Sequence, residues 1–154
     1  MVYRMLQGIE TLHFTHKMKV RDYELDRFGV INNAVYQNYL EHTRHLFLET
    51  NGVSMETLIK CGYSPLITKA EVEYRSSLQS RNNFVVNLEL TSLSKIKFIF
   101  TQEILSLPRN TLIISAKITG TILNSSKQPC FPDSFQKLRS ILTTDKKTRT
   151  KRIV

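Results

Sequence analysis

The chain has 154 residues, a formal net charge of +9, 41% hydrophobic residues and 23% charged residues. That length bounds it to one domain with room for a real core, and the ordinary composition, with five Gly and four Pro, excludes collagen-like and low-complexity chains. No apolar run approaches the ~18 residues that a membrane span requires.

The opening stretch, "MVYRMLQGIETLHFTHK", lacks the apolar core of a secretory signal and the Ser-rich length of a transit peptide. A cytoplasmic protein is expected, with a processed or truncated plastid form as the alternative. Cys61 and Cys130 stand far apart, which suggests neither a disulfide framework nor a zinc site. Two reduced and mostly buried thiols are expected.

Residues 12–25 read as a first strand, with Phe14, His16, Met18, Val20 and Tyr23 in imperfect alternation. A turn around Gly29 follows. From Asn33 to Thr50 the period changes to three and four, through Val35, Tyr36, Tyr39, Leu40, Thr43, Leu46, Phe47 and Thr50. That is the apolar stripe of a five-turn amphipathic helix. Asn32 or Asn33 is placed to cap its start, and Asn51–Gly52 to stop it. Ser54 then opens a short second helix over 56–61, ended by Gly62 and Pro65.

Everything after Pro65 is β-rich. Ile67, Ala70, Val72 and Tyr74 alternate loosely, and "QSRNN" reads as a turn. Val86, Leu88 and Leu90 mark the next strand. Ile96, Phe98 and Phe100 mark another, and Ile114, Ala116 and Ile118 the last. A short helix capped by Asp133 or Ser134 is expected near the end. The order of one strand, helices, then four strands predicts an α+β domain, an antiparallel sheet with one long helix on a face. The domain is expected to span residues 1–143. Residues 144–154 form a basic tail, where five basic residues against one acid leave +4, and such a run reads as solvated and flexible.

The most informative stretch is Asp26 to Tyr36, "DRFGVINNAVY", at the junction of strand and helix. With its flanks, "VRDYELD" and "HTRHLFLE", it resembles the N-terminal signature of the hotdog-fold acyl thioesterases of the 4-hydroxybenzoyl-CoA thioesterase family. In wording it is most similar to the plant acyl-lipid, methylketone-synthase-type thioesterases and their bacterial relatives. The resemblance covers roughly residues 12–125. It rests on Asp26, then Gly29, Val30–Ile31, Asn32–Asn33 and Tyr36 in register.

The resemblance implies a curved antiparallel sheet wrapped around the central helix. It also implies a homodimer joined edge to edge, often paired into a homotetramer, with active sites at the dimer interface. The implied activity is hydrolysis of fatty acyl or β-ketoacyl thioesters of acyl carrier protein or CoA, without a cofactor. Asp26 would be the catalytic carboxylate, as nucleophile or general base. The backbone N–H of Asn33 or its neighbour would polarise the thioester carbonyl. Many bacterial relatives carry His where Asn33 stands, so Asn33 here can orient but cannot shuttle a proton.

The residues support that chemistry on their own terms. Thioester hydrolysis needs a base or nucleophile and donors for an oxygen that gains charge. Asp26 lies a few residues ahead of a helix start, whose free N–H groups form an anion site. Gly29 permits close approach or a positive φ. The plainer readings are a turn-forming acid for Asp26, a helix cap for Asn32 or Asn33, and core packing for Tyr36.

Glu41 offers a second acid on the helix, where a solvated or ion-paired face is the plainer reading. His42 and His45 form an i, i+3 pair with no third metal ligand evident, so no metal site is expected. His45 is instead a candidate to line the site. Arg75 and Arg81 are candidates for a CoA phosphate or an acidic carrier, or plain surface charge at strand ends. An aromatic acyl-CoA thioesterase and a non-catalytic acyl-binding module are the alternatives. A nucleic-acid partner finds no aromatic motif to support it.

Overall fold

The computed structural model describes residues 12–140; the basic tail expected at 144–154 lies outside them. Five strands form one wholly antiparallel sheet in the order β1-β3-β4-β5-β2. They are β1 (His13–Lys19), β2 (Ser64–Tyr74), β3 (Asn83–Leu93), β4 (Phe98–Ser106) and β5 (Thr111–Leu123). Helix α1 (Asn33–Thr50) packs on one face, followed by the short α2 (Met55–Lys60). The expected α+β architecture is therefore observed. Breaks in register at Ile67/Lys69, Leu90/Ser92 and Ile104/Leu105 mark bulges, which bend the strands and strengthen their twist.

Helix α1 starts where an Asn side chain replaces a missing acceptor: Asn32 Oδ1 accepts from the N–H of Ala34 at 3.0 Å. It ends at Asn51, and Gly52 takes the left-handed conformation at φ +77°. Its buried face is Tyr36, Tyr39, Leu40, Thr43, Phe47 and Leu48. Thr50, counted in the predicted stripe, is exposed, while Leu48 is buried. The chain folds back there, with the N–H of Val53 donating to Leu48 O. Facing the helix are Phe84, Val86, Leu88 and Leu90 of β3, Phe100 and Ile104 of β4, and Ile114 and Ile118 of β5, each at most 2% exposed.

One polar pair interrupts this apolar layer. Gln102 on β4 is 1% exposed; it donates to Leu40 O at 3.0 Å and accepts from Arg44 at 3.0 Å. Desolvation lowers the Arg44 pKa, a shift that Glu41 opposes. The pair ties helix to sheet by groups that are satisfied rather than left dry.

Five expectations need correction. The first strand is shorter than 12–25, because the chain turns through a short 3-10 helix at Asp22–Glu24. Pro65 is not a breaker but lies within β2, tolerated because β2 is an edge strand. Ile96 stands in the β3–β4 turn, 49% exposed, rather than on the inner face of β4. Asp133 is the first residue of the helix over 133–140, so neither it nor Ser134 is the residue before it. Cys61 and Cys130 are free thiols, but Cys61 is exposed, against the expected burial.

Candidate active site

The loop between β1 and α1 is fixed from below by a buried acid. Glu24 Oε2 accepts from the Tyr39 hydroxyl at 2.6 Å and from the N–H of Arg21 at 2.8 Å. Burial and this carboxylate push the Tyr39 phenol far above its usual range, so it remains a donor. Glu24 also offers its backbone oxygen to the N–H of Asn32, the cap residue of α1. Thus the helix start and the end of the loop hang from one residue.

Within that frame Asp26 closes a tight turn. Its N–H donates to Val30 O at 2.8 Å, and its carbonyl accepts from Gly29 N–H at 3.1 Å. Its Oδ1 accepts from the N–H groups of Phe28 at 2.8 Å and Val30 at 3.4 Å. Its Oδ2 makes no hydrogen bond among the described residues. Gly29 supplies φ +74°, and nothing lies within 4 Å of where a Cβ would stand, so its role is the turn rather than a close approach.

Asn32 takes the cap, leaving Asn33 as the exposed first residue of α1. The N–H of Asn33 donates to no described residue. Such orphan donors at a helix start carry partial positive charge.

Tyr36 joins this segment to the far loop. It is 2% exposed, and its hydroxyl accepts from the N–H of Leu78 at 3.0 Å. Burial pushes its phenol pKa up and the Leu78 bond opposes that; the neighbouring Tyr74 and Asp26 raise it further. The phenol is therefore protonated, with its own proton free to be donated. Tyr36→Phe should strand the Leu78 N–H. A buried donor without a partner costs about 1–3 kcal/mol, so a matching loss in urea unfolding is expected, and an unchanged midpoint would show the bond to be idle.

The remaining candidates divide. The turn holding Arg81, at φ +63°, meets the Asp26 loop through the Val30–Gln79 bridge and the Ile31 N–H to Leu78 O bond. Arg75 follows Tyr74 at the end of β2 and pairs with Glu73. Glu41 and His45 lie further down α1 and approach each other at 4.0 Å on its exposed face; the protomer does not bring them to Asp26.

His42 meets His16 of β1 instead, ring centroids 5.4 Å apart. Burial first, then His42, lowers the His16 pKa. A base with a depressed folded pKa keeps its full stability contribution above its unfolded value and loses it as pH falls through the folded one. The melting temperature should therefore drop on acidification below about pH 6.5, and less so in His16→Phe; equal drops would remove the pair as the cause. Among the described residues no group of three or more His, Cys, Asp and Glu is arranged to hold a metal ion.

The buried brace of Glu24, Tyr39 and Leu78 escaped the sequence reading. Glu24 sits among three other charged residues in "RDYELD" and nothing in that pattern marks it as the one turned inward. Leu78 is an apolar residue inside a polar turn, a signal that it is anchored.

Residues 20–138 match the family model of the Thioesterase-like superfamily. The chain is 37% identical over 113 residues to the chloroplastic acyl-acyl carrier protein thioesterase ATL2 of Arabidopsis thaliana, covering 73% of this chain and 60% of that protein. To ATL3 of the same plant it is 38% identical over 123 residues, covering 80% and 64%. It therefore spans about three fifths of the length of these curated relatives. The crystal structure of a 1,4-dihydroxy-2-naphthoyl-CoA thioesterase from Synechocystis superposes with a TM-score of 0.78 at 17% identity, over 85% of this chain and 96% of that one. That likeness shows the hotdog fold.

Proposed function

The chain belongs to the Thioesterase-like superfamily, and we propose that it hydrolyses acyl thioesters of acyl carrier protein or CoA to free acid and thiol. The observation that carries this reading is Asp26 itself. One carboxylate oxygen is anchored by two backbone N–H groups and the other is free, immediately ahead of a helix start with an unspent donor.

In this mechanism the thioester carbonyl oxygen lies against the Asn33 N–H, which takes up its developing charge. Asp26 Oδ2 attacks the carbonyl carbon to give a mixed anhydride that water then hydrolyses to the free acid, or it draws a proton from a water that attacks the carbonyl directly. The thiolate leaves and is protonated from solvent. Asn33 lacks a titratable proton, so proton transfer falls to Asp26 and water. Gly29 and Asn32 keep the turn and cap that hold these groups, and Tyr36 offers its hydroxyl proton near Asp26. Arg75 and Arg81 flank the loop as sites for phosphate or for an acidic partner.

The same reading makes the protein a homodimer, or a tetramer built from two dimers. Its support is β2, an eleven-residue edge strand with Leu66, Ile67 and Tyr74 between 45% and 49% exposed. A long exposed edge is a template for another strand. Glu41 and His45, exposed on α1, would then serve the site from across the interface. The working domain is taken as residues 1–143. Among the described residues no helix is long and apolar enough to cross a membrane. A cytoplasmic location is proposed, with the plastid favoured if the chain is a processed form, as the chloroplastic relatives suggest.

The test is a panel of purified acyl thioesters crossing chain length, β-keto and aryl groups with CoA and carrier protein, read by thiol release. Turnover of aryl-CoA alone would favour the aromatic alternative. Tight acyl binding with no turnover would leave only a binding module.

A further inference from the structure

At one end of the sheet the strand termini and turns gather cations around the Asp26 loop. Asn83 is the hub. Its ladder partner on β1 is Lys19, and its carbonyl accepts from Leu107 N–H at the end of β4. Arg81 lies two residues before it, in the turn bridged to Val30, and Arg109 two residues after Leu107. Arg27 lies on the Asp26 loop itself. Lys19, Arg27, Arg81 and Arg109 are all exposed. None of the four has an ion pair or a side-chain hydrogen bond among the described residues. The acids at this end are largely engaged: Asp22 with Ser80, Glu24 buried, Glu73 with Arg75. Two exposed aromatics stand in the same loop, Tyr23 at 78% and Phe28 at 82%.

We propose that this basic rim, with Phe28 and Tyr23 within it, is the docking surface for an acidic carrier protein that delivers the acyl thioester to Asp26. The inference rests on the thioesterase reading above and adds the partner and the residues that receive it. Charge and chemistry argue for a protein rather than a nucleotide. The cations are carried by β1, the Asp26 loop and two separate turns, and neighbouring strands alone stand about 4.8 Å apart. The phosphates of one CoA are gathered on a single nucleotide, whereas an acidic protein face meets all four positions. Aromatic anchors ringed by Arg are also the composition of a protein interface. Rim charges of this kind act mainly on encounter and orientation.

The experiment uses the full chain with a type II acyl carrier protein, an acyl-CoA and an acyl-pantetheine of one chain length. The variant Lys19→Glu/Arg109→Glu removes two cations carried outside the Asp26 loop, one on β1 and one in the turn between β4 and β5. For acyl-carrier protein, kcat/KM should fall about tenfold or more, mostly through KM. Acyl-pantetheine should be hydrolysed as by the wild type, and the milder Lys19→Gln/Arg109→Gln should fall between. Wild-type binding of the holo carrier should weaken with added salt. An unchanged carrier reaction, or an equal fall on acyl-CoA, would overturn the proposal; so would an equal fall on acyl-pantetheine. If the wild type hydrolyses none of the three, the thioesterase reading fails. The salt and charge dependence of carrier binding still decides the rim.

Discussion

Asp26→Asn should lower kcat on acyl thioesters by about 10²–10⁴-fold, the usual worth of a positioned base or nucleophile, while leaving the fold intact. The substitution isolates chemistry from structure. An amide oxygen at the Oδ1 position still accepts from Phe28 and Val30, so the turn that aims the side chain persists. What disappears is the negative charge and the basic, nucleophilic oxygen at Oδ2. Asp26→Ala makes the contrast, since it also deletes the two turn bonds, each contributing about 1 kcal/mol. The expected pattern is two inactive variants, of which only the alanine form melts early. Wild-type turnover by Asp26→Asn would remove Asp26 from the mechanism.

That the loop can be dissected this way reflects how much of it the sequence carries. The Asp-x-x-Gly spacing and the paired asparagines are local signals. A turn needs a residue that accepts φ +74°, and a helix start needs a side-chain oxygen, and both are visible in "DRFGVINN". The long helix is legible for the same reason, its stripe being a local period. The strands of the second half are legible as segments, but their order is not. Nothing local says that β1 pairs with β3 rather than with β2, since that follows from how α1 covers the sheet.

The buried polar contacts are the least legible class. Gln102 sits where alternation demands an apolar residue, yet Leu40 O and Arg44 satisfy it from fifty-eight or more positions away. Glu24 is one acid among several nearby, chosen for burial only because the Tyr39 hydroxyl arrives beneath it. A Gln or Glu is read as exposed by default because burial without a partner is costly, and the partner is a tertiary fact. The rim cations share this trait: Lys19, Arg81 and Arg109 are scattered in sequence and meet only through Asn83 and its neighbours.

Gly120→Ala should destabilise the protein by about 1–3 kcal/mol, the usual cost of overpacking a filled site, and should weaken self-association with it. Gly120 is needed for space, not for backbone freedom. A Cβ there would lie 2.2 Å from Phe98 Cζ and 2.6 Å from Leu66 O. The Phe98 ring has little room to yield, because it already packs on Phe100, Phe131 and Phe135. The other neighbour is the backbone of β2, whose Ile67 is the ladder partner of Gly120 at the bulge. The strain is therefore expected to be relieved by displacement of β2, the edge proposed to meet a second copy. For a chain of this length the loss corresponds to a fall in melting temperature of about 2–4 °C per kcal/mol. Thermal unfolding combined with sedimentation would read both effects. A variant that melts early but associates normally would separate the packing of Gly120 from the dimer edge. An unchanged melting point would mean that Phe98 and β2 yield without cost.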